Sequence, residues 1–347
     1  MKILIIQQKM IGDVLTTSIL FEALKAEHPD AELHYVINSH TFPVVENNPF
    51  IDKFLFVTPE MEDNKIMFFK FLKSLKKEHY DVVIDVYGKL SSALISLYSK
   101  AKIKSAYFKK HTAFIYNHSI KRLKAPEHNA SLAIENRMRL LQSLNIPFKL
   151  YQPRIYLSSK ELELAKSYLE SSKIDLSKPL FMISVLGSQE VKTYPAKYMA
   201  QLLDNIVETT PYSQMLFNYI PIQKEEAKAI FNLCKKQTQQ HIFFNVFGKS
   251  LKEFLAITAH CTAVIGNEGG AINMAKSLQI PTFTIFSPYL NKQNWFGEYE
   301  RKNHVAVHLL ETIDYNIEDA KKQPLVYYSK FKPELIFPRL KTFLTTL

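Results

Sequence analysis

Residues 3–17 read ILIIQQKMIGDVLTT. Ile3-Leu4-Ile5-Ile6 is a short continuous apolar run, the pattern of a strand buried on both faces. The chain turns polar at Gln7, and a helical pattern follows over about residues 12–28, closed by Pro29. This strand–loop–helix opening sets the rhythm of what comes next. Strands are predicted over 33–37, 54–57 and 82–86, with a helix over 65–78. The rhythm restarts with a strand over 180–185. Helices over 196–207, 224–234, 251–259 and 271–278 then alternate with strands over 214–219, 242–245, 263–265 and 282–285. Such alternation predicts parallel sheets covered on both faces. Between the two series lies a stretch with Pro147, Pro153 and Pro179 and one helix over 159–171. The prediction is two doubly wound α/β domains, residues 1–160 and 161–326. Ligands are then expected beyond the strand C-termini, in a cleft between the domains.

Length and composition agree with this. The chain has 347 residues, 47% hydrophobic and 22% charged, with 8 Gly and 16 Pro. Two globular domains fit, whereas collagenous and disordered classes do not. No apolar run approaches the ~18 residues of a spanning helix. The opening run is too short for a signal-peptide core, so a cytoplasmic protein is expected. Cys234 and Cys261 make neither a disulfide framework nor a metal knuckle and read as buried thiols. His304-Val305-Ala306-Val307-His308 reads as a strand, which holds the two rings too far apart to share an ion. No nucleophile elbow or Ser-His-Asp pattern appears.

The net charge is +11, which points to an anionic partner. Residues 100–124 carry eight basic side chains and no acid, with Tyr107, Phe108, Phe114 and Tyr116 among them. Two readings stay open: a solvated basic loop, or a docking surface for a polyanion at a membrane. Nucleic acid is not expected, since no zinc-finger, RNP-type or basic-zipper pattern is present.

Two loops that follow predicted strands carry candidate chemistry. The first runs from Gln7 through Lys9, Gly12 and Asp13 to Ser18. It lacks the G-x-G-x-x-G that a dinucleotide domain needs, which argues against a nicotinamide-dependent oxidoreductase. Its aspartate is either a helix cap or a functional carboxylate. The second is Gly266-Asn267-Glu268-Gly269-Gly270-Ala271-Ile272-Asn273. It is either a plain strand-to-helix turn or a pyrophosphate site, because glycines admit a close ligand and free N–H groups head the helix.

These stretches resemble glycosyltransferase family 9, the ADP-heptose:lipopolysaccharide heptosyltransferases. The likeness rests on Gly12-Asp13-Val14, Leu24-Lys25 through Pro29-Asp30-Ala31, and Asn48-Pro49-Phe50-Ile51-Asp52. It continues in Gly187-Ser188 through Lys192-Thr193-Tyr194-Pro195, Phe247 through Leu251, Glu268 through Ala275, and Pro281 through Pro288. The resemblance implies a GT-B fold of two Rossmann-like domains, with acceptor bound on the first and donor nucleotide on the second. It also implies metal-independent, inverting transfer, with no cofactor. Asp13 matches the family's catalytic base and Lys192 its phosphate-side lysine. Gly12, Gly187, Ser188, Glu268, Gly269, Gly270 and Asn273 match donor-binding positions. The implied donor is ADP-heptose. The implied acceptor is an anionic glycolipid of the lipopolysaccharide inner core, reached by transient contact with the inner membrane. Lys9, Lys109, Lys110, Lys121 and Arg122 are the expected acceptor contacts. By analogy with GT-B proteins, a terminal helix within 327–347 is expected to pack back on the first domain, the alternative being a core-packing helix of its own domain.

The sequence departs from the family pattern on the donor side. Asn273 stands where the family has His, Glu268 where it has Asp, Gly269 where it has a hydroxyl residue, and Tyr194 where it has Trp. These departures keep two alternatives open, a different activated sugar and a catalytically weakened binding relative.

Overall fold

The computed structural model describes residues 1–347. The chain divides into two compact units. Met1–Tyr156 with Gln293–Glu298 form the first, and Leu157–Lys292 with Tyr299–Leu347 form the second. Residues 293–298 were expected in the second domain and belong instead to the first. Gly297 shows why the exchange needs a glycine. A Cβ there would lie 2.6 Å from the Ala130 carbonyl carbon and the Ser131 nitrogen, so no side chain fits at this crossing.

The first unit is a six-stranded parallel sheet. Its strands are β1 (Lys2–Ile6), β2 (Glu32–Asn38), β3 (Lys53–Val57), β4 (Val82–Asp85), β5 (Ile103–Tyr107) and β6 (His118–Ile120). The order across the sheet is β3-β2-β1-β4-β5-β6, with Ile3 opposite both Leu33 and Val82. Ile3 to Ile6 are fully buried, as a central strand covered on both faces requires. The predicted first helix is two, Ile11–Thr17 and Ile19–Glu27. The break lies at Ser18, whose hydroxyl donates to the Leu15 carbonyl at 2.7 Å. Such back-bonding competes with the helical ladder. Residues 100–124, read as one loop or surface, contain β5 and β6, so the solvated-loop reading does not hold. Tyr107 and Tyr116 are core residues, whereas Phe108 and Phe114 are exposed.

The second unit repeats the plan. Its strands are β7 (Leu180–Ser184), β8 (Gln214–Phe217), β9 (Ala263–Asn267), β10 (Thr282–Ile285) and β11 (His304–Val307), ordered β11-β10-β9-β7-β8 and all parallel. The strand expected over 242–245 shrinks to one parallel bridge between Ile242 and Met215. With that bridge as the third element, the second unit has the same 3-2-1-4-5-6 order as the first.

The terminal helix corrects another expectation. Phe337–Thr345 packs on the Ala196–Thr209 helix of the second unit, not back on the first. Its Leu340, Phe343 and Leu344 join the core that holds Phe181, Ile183 and Phe283, and the Phe283 and Phe343 rings lie 5.7 Å apart. The amphipathic stripe thus finds its apolar partner in its own unit. No helix is long and apolar enough to cross a membrane.

Candidate active site

In each sheet the strand order reverses between the first and fourth strands, β1 and β4 in one unit and β7 and β9 in the other. Ligands of open α/β sheets bind beyond the C-terminal ends of strands at such a switch point. The predicted site residues fall at both.

In the first unit a cavity of about 650 Å³ opens there, within the 300–1,000 Å³ range of ligand pockets. Gln7, Lys9 and Asp13 line it after β1, and Val86, Tyr87 and Lys89 after β4. Asp13 sits in the first turn of the Ile11–Thr17 helix, whose N-cap is Met10, and no side chain caps that helix. The capping reading of Asp13 therefore gives way to another. Its Oδ1 accepts from Arg137 Nη2 at 2.7 Å, with the arginine almost buried and the aspartate 36% exposed. Arg137 also donates from Nε to Thr17 Oγ1 at 2.9 Å and from Nη1 to the Ala133 carbonyl at 2.8 Å. The guanidinium is fixed on three sides and aims the carboxylate, while enough of Asp13 stays open to meet a ligand.

The Leu132–Arg139 helix builds the opposite wall through three consecutive buried polar residues. Glu135 accepts from the Glu127 and His128 N–H groups, and Asn136 accepts from the Leu123 N–H at 2.7 Å. These bonds hold the segment that carries Arg122. The Arg122 guanidinium lies 3.8 Å from the Tyr107 ring centre, a cation–π stack that presents charge to the cavity. Lys9, Lys89, Arg122 and Arg137 thus surround a single lining carboxylate, Asp13.

The other expected acceptor residues are arranged less simply. Lys9 pairs with Glu62 at 2.7 Å, and Glu62 also accepts from Asn38. Lys109 donates to the Gly88 carbonyl at 2.5 Å; burial, Lys89 and Arg122 together pull its pKa down. Lys110 and Lys121 are exposed and do not line the cavity.

In the second unit the residues expected on the donor side converge on the ends of β7 and β9. Gly187 follows β7. Its N–H donates to Thr193 Oγ1 at 3.0 Å, its carbonyl accepts from Gln223, and a Cβ on it would lie 2.4 Å from the Lys192 carbonyl oxygen. The loop is therefore closed against itself, and Lys192 ends the short Glu190–Lys192 turn that this closure sets. Ser188 is exposed on the same loop. Asn267, fully buried at the end of β9, clamps the two loops. It donates to the Ser184 and Val185 carbonyls at 2.9 and 3.0 Å and accepts from the Tyr194 N–H at 2.7 Å.

Glu268 and the glycines come next. Lys192 Nζ lies 3.9 Å from Glu268 Oε1, and that oxygen is buried without a hydrogen-bond partner. Burial pushes the Glu268 pKa up, against the pull of Lys192. Gly269 has φ +152° with nothing near its missing Cβ, and Gly270 begins the Gly270–Ser277 helix. Open space thus faces the free N–H groups of a helix start. Asn273 lies half-buried on that helix, and Gly12 is half-buried beside Asp13 on the first unit's helix.

Tyr194 enters this arrangement through its backbone N–H alone. It is fully buried and donates from its hydroxyl to the Phe331 carbonyl at 2.6 Å. The replacement of the family tryptophan is a packing change, which leaves Glu268, Gly269 and Asn273 as the departures that lie at the β9 loop and the helix start after it.

Arg137, Asn267 and the Tyr107–Arg122 stack were not expected from sequence. A signal existed for Arg137, one of six arginines against 38 lysines, placed in a Glu-Asn-Arg run between the apolar Leu-Ala-Ile and Met of its helix.

Residues 68–323 match the model of glycosyltransferase family 9 (heptosyltransferase). The chain belongs to glycosyltransferase family 9. Lipopolysaccharide heptosyltransferase 1 of Campylobacter coli is 23% identical to this glycosyltransferase over 303 residues, which cover 85% of this chain and 86% of that one. ADP-heptose lipopolysaccharide heptosyltransferase II of E. coli aligns over 100% of this chain and 99% of its own, with TM-score 0.75 at 17% identity. A glycosyl transferase family 9 protein of Veillonella parvula aligns over 100% and 97%, with TM-score 0.79 at 17% identity. The two α/β units of this family 9 glycosyltransferase thus have the expected GT-B architecture.

Proposed function

We propose that this glycosyltransferase moves heptose from ADP-heptose to an anionic inner-core acceptor of lipopolysaccharide, with inversion, at the inner face of the cytoplasmic membrane. The observation that carries the proposal is the Asp13 carboxylate, held by Arg137 in a cavity otherwise ringed by cations. A base must take the proton of the acceptor hydroxyl as that oxygen attacks. Asp13 is the one carboxylate that lines the cavity. The surrounding Lys89, Arg122 and Arg137 favour an acceptor that carries phosphate or carboxylate. The names of the Campylobacter and E. coli relatives support heptose and ADP-heptose.

In the proposed step the acceptor oxygen forms a bond to the anomeric carbon from the face opposite the diphosphate. Its proton passes to Asp13. The bond from the anomeric carbon to the diphosphate oxygen breaks, and the electron pair leaves with ADP. Lys192 and the N–H groups at the Gly269–Gly270 helix start stabilise that departing charge. Glu268, with its raised pKa and unpartnered oxygen, is suited to hydrogen-bond a sugar hydroxyl, with Asn273 and Ser188 as further donor contacts. A different activated sugar is the second reading, favoured by Glu268 and Asn273 in place of the family's Asp and His.

Asp13→Asn tests the proposal. Loss of a general base costs about 10²–10⁴ in rate. Turnover of ADP-heptose should fall by that much, with ADP affinity within a few fold of the parent. Turnover near the parental rate would remove Asp13 from the chemistry. Turnover by the parent of another nucleotide sugar alone would keep the mechanism and replace the donor.

A further inference from the structure

The first unit exposes large apolar side chains on three neighbouring elements, away from the residues assigned to catalysis. On the Lys65–Leu75 helix, Ile66 is 70% exposed and Phe69 42%. On the Leu90–Tyr98 helix, Leu90 is 71% and Leu97 46%. On the Ala113–Ile115 turn, Phe114 is 84%. The elements form one layer. Phe69 meets Tyr98 edge-on with ring centres 5.8 Å apart, and Ala93 shares a small core with Ile115. The opposite face of the first helix packs normally, with Leu72 and Leu75 buried. Ile66, Phe69 and Lys73 lie at i, i+3 and i+7 and so share an outer stripe. Apolar side chains at such exposure on a contiguous face mark an interaction surface.

Charge selects the occupant. Between Asp63 and Glu78 the chain carries Lys65, Lys70, Lys73, Lys76 and Lys77 and no acid. All five are exposed. Lys73 Nζ lies 4.7 Å from the Phe69 ring centre, so the ammonium rides beside the apolar side chain. Apolar tips flanked by lysines are what an amphipathic segment needs to lie in an anionic bilayer interface. A protein partner would match the apolar tips alone; five unpaired lysines around them call for a continuous anionic surface.

We infer that the layer formed by the Lys65–Leu75 and Leu90–Tyr98 helices and the Phe114 turn docks this protein on anionic phospholipid bilayers. The apolar tips enter the interface and the lysines meet the headgroups. This surface is distinct from the cavity at the β1–β4 switch point and does not depend on which sugar is transferred.

The test is sedimentation of the full chain with vesicles that contain no glycolipid. One set is phosphatidylcholine with phosphatidylglycerol, the other phosphatidylcholine alone. Each lysine near an anionic surface adds roughly fivefold to partition at low salt, so the parent should favour the anionic vesicles by more than tenfold, with the preference shrinking as salt rises. The triple variant Ile66→Ser, Phe69→Ser, Phe114→Ser replaces exposed side chains only. It should lose at least tenfold in anionic-vesicle partition. Ile222→Ser, at a position 86% exposed in the second unit, should change nothing. A circular dichroism melt of the triple variant checks that it is folded. Parental binding by the folded variant, or equal binding of the parent to both vesicle sets, would overturn the inference. So would sedimentation equilibrium showing a dimer that the triple variant abolishes, because the face would then serve a second copy of the chain. Retained turnover of a soluble acceptor by a variant that no longer binds vesicles separates this surface from the proposed reaction.

Discussion

The two units share a strand order and place their candidate residues at the same switch point, yet their charges are organised in opposite ways. At the first, several cations surround one carboxylate, and the groups that orient them come from far along the chain. Arg137 reaches Asp13 across 124 residues, and Asn136 pins the Arg122 segment. At the second, a single lysine faces a carboxyl whose ionisation burial opposes, and the frame is mostly backbone. Gly187 closes on Lys192, and Asn267 ties β7 to β9. The same topology thus supplies a charged, side-chain-built pocket in one unit and a glycine-lined helix start in the other. Fold sets where a ligand goes, and the loops decide which ligand.

If the second unit holds the diphosphate, the largest separable effect lies there. Lys192→Ala removes the one cation beside Glu268. A charge-assisted bond to phosphate contributes about 1.5–3 kcal/mol, so the ADP dissociation constant should rise by roughly 10- to 150-fold. Calorimetry on ADP measures it directly. The variant should also leave Glu268 more reluctant to ionise. Unchanged ADP affinity would move the diphosphate elsewhere and break the assignment of roles to the two units.

A smaller effect is expected for Arg137→Lys, which keeps a charge but loses the fork. The three donor directions to Asp13, Thr17 and Ala133 cannot be matched by one ammonium. Asp13 is too exposed for the full penalty of a broken buried pair, so stability should fall by about 1–2 kcal/mol, near the lower end for bonds to charged groups. Turnover should drop by about tenfold with ADP affinity unchanged if Asp13 is the base and the donor lies on the second unit, because the carboxylate alone would be misaimed. A raised KM for acceptor with unchanged kcat would mean instead that Arg137 binds acceptor and does not position the base.

How much of this is legible in sequence differs between the units for a physical reason. Continuous apolar runs such as Ile3–Ile6 and Leu180–Ile183 announce strands buried on both faces, and the parallel α/β class follows from their alternation with helices. β5 is hidden in the sequence because Lys104 and Ser105 interrupt its run, and β6 because only three residues pair. The donor-side loops could be read because their frame is local: Gly187, Lys192 and the Glu268–Gly270 turn act within a few residues of one another. Asp13 could be found but not explained, since nothing near it in sequence names Arg137. The Gln293–Glu298 exchange and the home of the terminal helix depend on which apolar surface lies nearest in space, and periodicity carries no such information.

The smallest effect concerns acid stability, and it also contrasts the units. His304 in the second unit donates to or accepts from Thr282 at 3.1 Å, and burial, aided by Lys276, holds its pKa near 4. Its ordinary value is about 6.5. The folded state thus prefers the neutral ring, so its contribution is complete above pH 6.5 and is lost as pH falls from 6.5 towards 4. His308 is shifted the same way by burial. The first unit has its own device at lower pH. Glu78, paired with Lys2 and Lys53, is held near a pKa of about 2 against an ordinary 4.5. Its contribution is complete above pH 4.5 and is lost only as pH falls from there towards 2. Trp295, the single tryptophan, belongs to the first unit, so its fluorescence reports that unit while circular dichroism reports both. Urea midpoints followed by circular dichroism should fall between pH 6.5 and 4, and His304→Gln should flatten that limb while leaving the tryptophan transition at each pH in place. Glu78→Gln should lower the tryptophan midpoint above about pH 4.5, where the charged pair contributes, and the difference from the parent should close as pH falls towards 2. A tryptophan midpoint that moves with His304→Gln would show the two units unfolding as one, and the contrast between them would then hold for chemistry but not for stability.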